Sequence, residues 1–352
     1  MPLVVTNKQI KHNNMKKTLI ALAALAMVAA CNKAEVVEIN NQAITFGQAF
    51  VDNATKAIDP SFGESNLIKE FNVWGTVTGN SGNSINLYNG ASVYDEEPTY
   101  GVAYACEQTE YWIPSATYNF VAIANATSVS PATGMPTSIS YTADGVKDLL
   151  YTKVGTTVTT DASATPSQNL VAFTFNHLLS KVHFNFTNAS GNDKCIFKIK
   201  DIKIASGHFA SGTYTIANNT WGGTTAATEA LSFGNGTNAT DKAAEAAEIT
   251  NGNSVTSNNA KLIIPGAQTL TVSFTKEFYY DADGAGSASF PVLMKTETVS
   301  SPLVVANGTA AAYTFTANGS YVINVELTAG LEITFTVNKC ENWDNDTTIS
   351  IP

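Results

Sequence analysis

The residues able to do chemistry are few and widely spaced. Histidines stand at His12, His177, His183 and His208, and cysteines at Cys31, Cys106, Cys195 and Cys340. No C-x-x-C pair occurs, which removes the zinc and thioredoxin-type readings. His177 and His183 lie too far apart for the usual metal-ligand spacing, and the histidines read as structural or surface groups. The carboxylates Asp95, Glu96 and Glu97 are sequence neighbours; neighbours on a strand face opposite ways, so they make a poor acid–base pair. "DADGAG" (281–286) opens like a calcium loop but lacks the third oxygen ligand and the closing glutamate, and it reads as a hairpin turn. No G-x-S-x-G, H-E-x-x-H or phosphate-cradling glycine loop is present. The expectation is a protein that is not an enzyme and uses no metal or cofactor.

One cysteine has a context of its own. From Met15 the chain reads "MKKTLIALAALAMVAAC": two lysines, an apolar run from Leu19 to Val28, two alanines, then Cys31. This is the pattern of an export signal, too short and wrongly flanked for a membrane span. Its "VAAC" ending resembles a bacterial lipobox, which implies cleavage before Cys31 and acylation (palmitate) of the thiol. Met1–Asn14 reads as an extension upstream of the true start. An acylated Cys31 ties the chain to a membrane without spanning it. It also leaves Cys106, Cys195 and Cys340, hence at most one disulfide and one free thiol.

The elements that must carry these residues are strands. Of 352 residues only 14% are charged, and the polar balance comes from Thr, Ser, Asn and Gly. Such a composition suits a β-rich exported protein. The net charge of -10, with no Lys/Arg cluster after the signal, argues against nucleic acid as a partner. "AITFGQAFV" alternates around Ile44, Phe46 and Phe50 and reads as a strand with one buried face. Strand signals then recur about every 8–12 residues, with Gly, Pro, Asn and Asp between them. "GVKDLLYTKV" (145–154) reads as a short helix or turn, and "TTVTTDASATPSQN" as a loop. "TDKAAEAAEITNGN" (240–253) reads as a helical turn or a mobile loop. The spacing indicates antiparallel sandwiches, two of them meeting near His177. "HLLSK" reads as the crossing, with Leu178 and Leu179 in the core, and Trp74, Trp112, Trp221 and Trp343 as core anchors rather than sugar platforms.

Several segments, in order, resemble the fimbrillin-like family of Bacteroidetes, the subunits of type V pili. They are the signal ending at Cys31, "AITFGQAFVDNATKA", "YWIPSATYNFVAIA", "DLLYT", "FTFNHLLSKVHFNFTN" and "SYVINVELTAGLEITFTVNKCENW". The resemblance implies an all-β chain of two transthyretin-like antiparallel β-sandwich domains in tandem. The boundaries it suggests are residues 1–30 for the extension and signal, 31–56 for a propeptide with a temporary first strand, 57–177 for one sandwich and 178–352 for the other. It further implies a lipid-anchored precursor at the outer membrane and a mature form in the fimbrium at the cell surface. A trypsin-like maturation protease would cut after a basic residue behind the first strand. "ATKA" puts Lys56 there, with Ala57 as the new N-terminus, although the family usually has Arg. The implied partners are other pilin subunits joined by strand exchange, that protease, and a host or bacterial surface ligand. "NDTTISIP" (345–352) is the candidate donor tail, with "LEITFTV" as the other segment placed for exchange. Two further readings fit the same residues: a surface-anchored glycan-binding lipoprotein, or an uncut pilus anchor subunit.

Overall fold

Alternation of apolar and polar residues is the strongest local signal in the chain, and the fold follows it. The computed structural model describes residues 42–51, 68–95, 104–152, 156–237, 245–283, 291–328 and 333–340. Cys31, Lys56, Ala57, Trp343 and the tail 345–352 lie outside the described residues. The protein is all-β, and among the described residues the helical content is a single 3-10 turn at Ile216–Asn218.

Up to His177 the strands are β1 (Phe46–Val51), β2 (Glu70–Thr78), β3 (Ser84–Tyr94), β4 (Ala105–Cys106), β5 (Thr117–Ala124), β6 (Ser128–Ser130), β7 (Ser138–Thr142), β8 (Leu150–Thr152), β9 (Thr156–Thr159) and β10 (Val171–His177). After it come β11 (Ser180–Asn188), β12 (Cys195–Ser206), β13 (Phe209–Thr215), β14 (Thr220–Ala226), β15 (Leu231–Gly234), β16 (Gly236–Thr237), β17 (Ser254–Ser257), β18 (Lys261–Ile263), β19 (Gly266–Gln268) and β20 (Thr271–Tyr280). The last are β21 (Val292–Pro302), β22 (Val305–Ala306), β23 (Thr309–Ala310), β24 (Tyr313–Phe315), β25 (Gly319–Leu327) and β26 (Ile333–Cys340).

An eight-stranded sheet runs β1-β10-β8-β5-β2-β3-β4, with β9 also on β5. A six-stranded sheet runs β16-β17-β11-β25-β26, with β18 also on β11, and a four-stranded sheet runs β15-β12-β20-β21. Most pairings are antiparallel, but β1 lies parallel to β10 and β11 lies parallel to β25. A further sheet, β14-β13-β7-β6, takes two strands from each side of His177, so the halves share a ladder.

Three buried clusters result. The first gathers Phe46, Phe71, Tyr88, Phe120, Phe173 and Phe175 with their neighbours. The second gathers the inward faces of β11, β12, β20 and β25, from Val182 to Leu327. The third, with Trp74, Tyr141, Leu178, Leu179, Tyr214 and Ile264, lies on the outer face of β2 and β5 and reaches across to the shared sheet. β12 shows how the pattern is kept in phase. Ile199 and Ile202 are three apart yet both fully buried, because a bulge between Lys200 and Lys203 inserts one extra residue at this point. Asp201 there takes φ 54, a conformation Asp tolerates better than most residues.

The structure corrects three local readings. Residues 150–152 are a strand, β8, inserted between β10 and β5, where the main-chain ladder overrides the helical look of "KDLLYT". The presumed loop after Val154 opens with a strand, β9, paired to β5. In the described part of the Ala/Glu-rich stretch there is no helix; Ile249 is fully buried and exchanges two hydrogen bonds with Phe197. Cys106 and Cys195 are free thiols.

Phe186 is fully buried and meets Phe274 edge-on at 5.0 Å. Phe186→Ala is therefore expected to cost about 3–5 kcal/mol in denaturant unfolding. Thr336→Ala, at an exposed position of β26, should stay within about 0.5 kcal/mol.

Candidate functional site: the seat of the first strand

β1 is seated between two edges. Along one it runs parallel to β10, from Phe46 opposite Val171 to Val51 opposite Phe175. The Val171 amide donates to the Thr45 carbonyl at 2.9 Å, and Thr45 Oγ1 donates to the Asn169 carbonyl at 3.0 Å. Along the other edge it meets the segment 104–112 in antiparallel fashion. There the Ile44 amide donates to the Glu110 carbonyl at 2.8 Å. The Tyr104 amide donates to the Phe46 carbonyl and the Trp112 amide to the Gln42 carbonyl, both at 3.1 Å.

The side chains complete the seat. Ile44, Phe46, Ala49 and Val51 are all buried in the first cluster. A register shift between Gly47 and Ala49 keeps Phe46 and Ala49 facing inward despite their three-residue spacing. Phe46 stacks on Phe173 at 6.0 Å and meets Tyr88 and Phe120 edge-on at 5.5 and 6.0 Å. A Cβ on Gly47 would fall 2.6 Å from Leu170 Cδ2, so glycine leaves room for that leucine. Burying Ile44, Phe46 and Val51 contributes roughly 5–9 kcal/mol at about 1.5–3 kcal/mol each. That is of the order of a whole domain's stability, about 5–15 kcal/mol. The first core therefore depends on having a strand in this position.

The phenols around the seat are held neutral. Burial pushes Tyr118 up to about 12, and it pushes Tyr88 and Tyr104 upward as well. Tyr104 donates to the Ile68 carbonyl at 2.6 Å, and the Tyr118 hydroxyl accepts from the Ile113 amide at 2.6 Å. Cys106, next to the seat, also has its thiol raised by burial.

The crossing at "HLLSK" is packed and bonded throughout. Leu178 and Leu179 are buried in the third cluster, as read from the sequence. The Leu178 amide donates to the Leu149 carbonyl at 2.9 Å, and Trp221 Nε1 donates to the Leu178 carbonyl at 3.0 Å. His177 Nδ1 is paired with Asp148 Oδ2, both residues being buried. The signal that would have found Asp148 from sequence is absent, because it lies 29 positions away in a segment that looked helical.

His208 is buried, which lowers its pKa, and lies apart from this pair. Among the described residues no three His, Cys, Asp or Glu side chains are grouped so as to hold a metal. Trp74 and Trp112 are core residues, and Trp221 packs half-buried against the third cluster. A cleft of about 470 Å³ is lined by Glu70, Asn72, Asn125, Asp144 and Lys147. The rings in its wall, Phe71 and Tyr141, are buried and offer no open face for a sugar.

The fold and the seat define an all-β protein whose first described strand is inserted between β10 and the segment 104–112. The profile of the fimbrillin-like family matches residues 55–343, and the chain belongs to that family. Membership supports a fimbrial subunit role. Among solved structures, the chain is similar to a fimbrial protein from Bacteroides vulgatus, at 15% identity and TM-score 0.57, covering 85% of this chain and 99% of that one. It is also similar to the C-terminally truncated tip fimbrial protein Mfa3 from Porphyromonas gingivalis, at 9% identity and TM-score 0.37, covering 86% and 99%. No curated protein matches the sequence.

Two outcomes follow from the seat. Phe46→Ala should destabilise the uncut chain by about 3–5 kcal/mol in thermal or denaturant unfolding; a loss under about 1 kcal/mol would mean that β1 does not support the core. Raised phenol pKa values give stability that is fully present below about pH 10 and lost as pH rises toward 12. The part of the phenolate absorbance that belongs to these buried tyrosines should accordingly rise together with unfolding, after that of the exposed tyrosines.

Proposed function

We propose that this protein is a structural subunit of a fimbria that serves cell adhesion and carries out no reaction of its own. It is exported as a lipoprotein acylated at Cys31, cut between Lys56 and Ala57, and joined to its neighbours by strand exchange. The observation that carries this reading is the seat of β1: a core strand bonded on both edges, followed in the chain by the segment that contains Lys56. Removal of such a strand leaves unpaired N–H and C=O groups on β10 and on 104–112, together with an open apolar trough. That combination takes up an extended segment from another chain, whose backbone restores the ladder while alternate side chains fill the pockets.

Two sandwich-like halves joined through the shared sheet suit this role, with the first half carrying the seat and the second carrying the donor. The tail 345–352 is the proposed donor, and β26, an edge strand whose Ile333, Phe335 and Val337 pack on the second core, holds the chain just before it. The membrane anchor serves the precursor, and the mature subunit belongs to the fimbrium at the cell surface. The described tryptophans do not favour a sugar-binding surface, since none of them presents an exposed ring pair.

Sequencing the N-terminus of surface-assembled protein tests the reading. A chain that begins at Ala57 and forms multimers resistant to SDS until boiled is expected. Assembled material that still begins at acylated Cys31 would replace it with an uncut anchor subunit. Deleting Asn345–Pro352 should abolish the multimers; if they persist unchanged, the donor lies elsewhere in the chain.

A further inference from the structure

The occupant of the seat and the end of the chain share a short pattern. Ile44-Thr45-Phe46 sets a hydroxyl residue between two apolar ones, and Ile349-Ser350-Ile351 does the same. One residue follows each triplet in the matching place, Gly47 in the first and the terminal Pro352 in the second. In the seat every position of the triplet has a use. Ile44 and Phe46 are buried in the first cluster. Thr45 between them is exposed, and its Oγ1 donates to the Asn169 carbonyl at 3.0 Å.

We propose, on the reading that the tail is the donor, that it enters the seat of a second copy in β1's own direction and in step with it. Ile349 then takes the site of Ile44, Ser350 that of Thr45 and Ile351 that of Phe46. The direction follows from the two edges, since β10 pairs in parallel and 104–112 antiparallel, and the two kinds of ladder space their bonds differently. A slip of one residue turns both isoleucines outward. A slip of two toward the C-terminal end of β1 sets Ile351 at position 48, which has no register partner on β10 because the ladder skips from Gly47 to Ala49. The opposite slip of two leaves the Phe46 site empty. In step, Pro352 falls at Gly47, just before that skip, and a residue without an N–H ends the strand there. A side chain at this position meets the free end of Leu170, which is half-buried and able to turn aside. Ile351 is the residue that sets how tightly the tail is held. Its site, edged by Tyr88, Phe120 and Phe173, is shaped to a phenyl ring, and isoleucine leaves part of it unfilled.

Cysteine pairs test the register. Ala43 lies opposite Tyr111 in antiparallel fashion, and residues so opposed have Cα atoms about 4.5–5.5 Å apart, within disulfide range. In step, Thr348 of the donor takes the place of Ala43. Chains that begin at Ala57 and carry Tyr111→Cys with Thr348→Cys should form covalent, reducible multimers under mild oxidation. They should do so at least about tenfold faster than chains with Tyr111→Cys and Asp346→Cys, whose new cysteine would face Tyr111 only after the two-residue slip. The parent chain, with its own cysteines, sets the background. Tyr111 is 49% exposed, so its replacement should leave the fold intact. Ile351→Phe should slow the dissociation of multimers in SDS about tenfold, whereas Ile349→Phe, at a site filled by isoleucine, should hasten it. Multimers that form while the two cysteine pairs link equally, or not at all, would overturn the register and leave strand exchange itself standing. Faster dissociation of Ile351→Phe would overturn its place in the Phe46 site. Chains that begin at Ala57 and form no multimers would overturn the exchange and this register with it.

Discussion

A backbone amide removed from water must find a partner, and the first half of this protein meets that demand with a strand that arrives before the rest. β10 and the segment 104–112 each present an edge, and β1 satisfies both. The demand is doubled by the side chains, since Phe46 fills the space among Tyr88, Phe120 and Phe173. An edge alone tolerates water, and an apolar trough alone can partly collapse. The two together make vacancy costly, so any process that takes β1 away must supply a substitute.

The rest of the architecture keeps that seat from relaxing. β2 and β5 are covered on both faces, by the first cluster on one side and the third on the other. The third cluster is itself clamped by the sheet that β7 and β13 build from opposite sides of His177. With both layers fixed, the walls of the seat cannot close inward to bury the trough. Buried side chains such as Tyr118 and Trp112, packed edge-on at 4.7 Å, add to this rigidity.

Much of this was legible because inward residues in the long strands repeat every second position. β10, β11 and β25 read plainly in "VAFTFNH", "KVHFNF" and "SYVINVEL". Where the period slips, only the ladder reveals the reason. The alternation singled out Ile44, Phe46 and Phe50; Ile44 and Phe46 lie in the core, and the shift after Gly47 hands the next inward positions to Ala49 and Val51. β8 was hidden because "LYT" is too short to show a period, and it owes its conformation to the strands on either side. β14, "TWGGTTA", is mostly exposed and holds two glycines, so neither burial nor propensity announced it. The pairing of His177 with Asp148, and the sharing of a sheet across the crossing, depend on contacts distant in sequence that no local pattern encodes.

The second half repeats the first strand's arrangement with a different tether. β11, like β1, opens its half and runs parallel to a late strand, here β25, from Ser180 opposite Gly319 to Asn188 opposite Leu327. It too is bonded on both sides, to β17 and β18 on the other edge. Yet β11 cannot leave. Its N-terminal end is held by the Leu178 and Leu179 carbonyls, which accept from Trp221 Nε1 and the Asn318 amide, and by Ser180 Oγ, which donates to the Thr316 carbonyl at 2.7 Å. β1 is the first strand among the described residues, and the proposed cut at Lys56 would separate it from β2. Two strands of like topology thus differ in how they join the chain: β11 continues directly from β10 through "HLLSK", whereas β1 lies ahead of the proposed cut, which is why the proposed exchange falls in the first half.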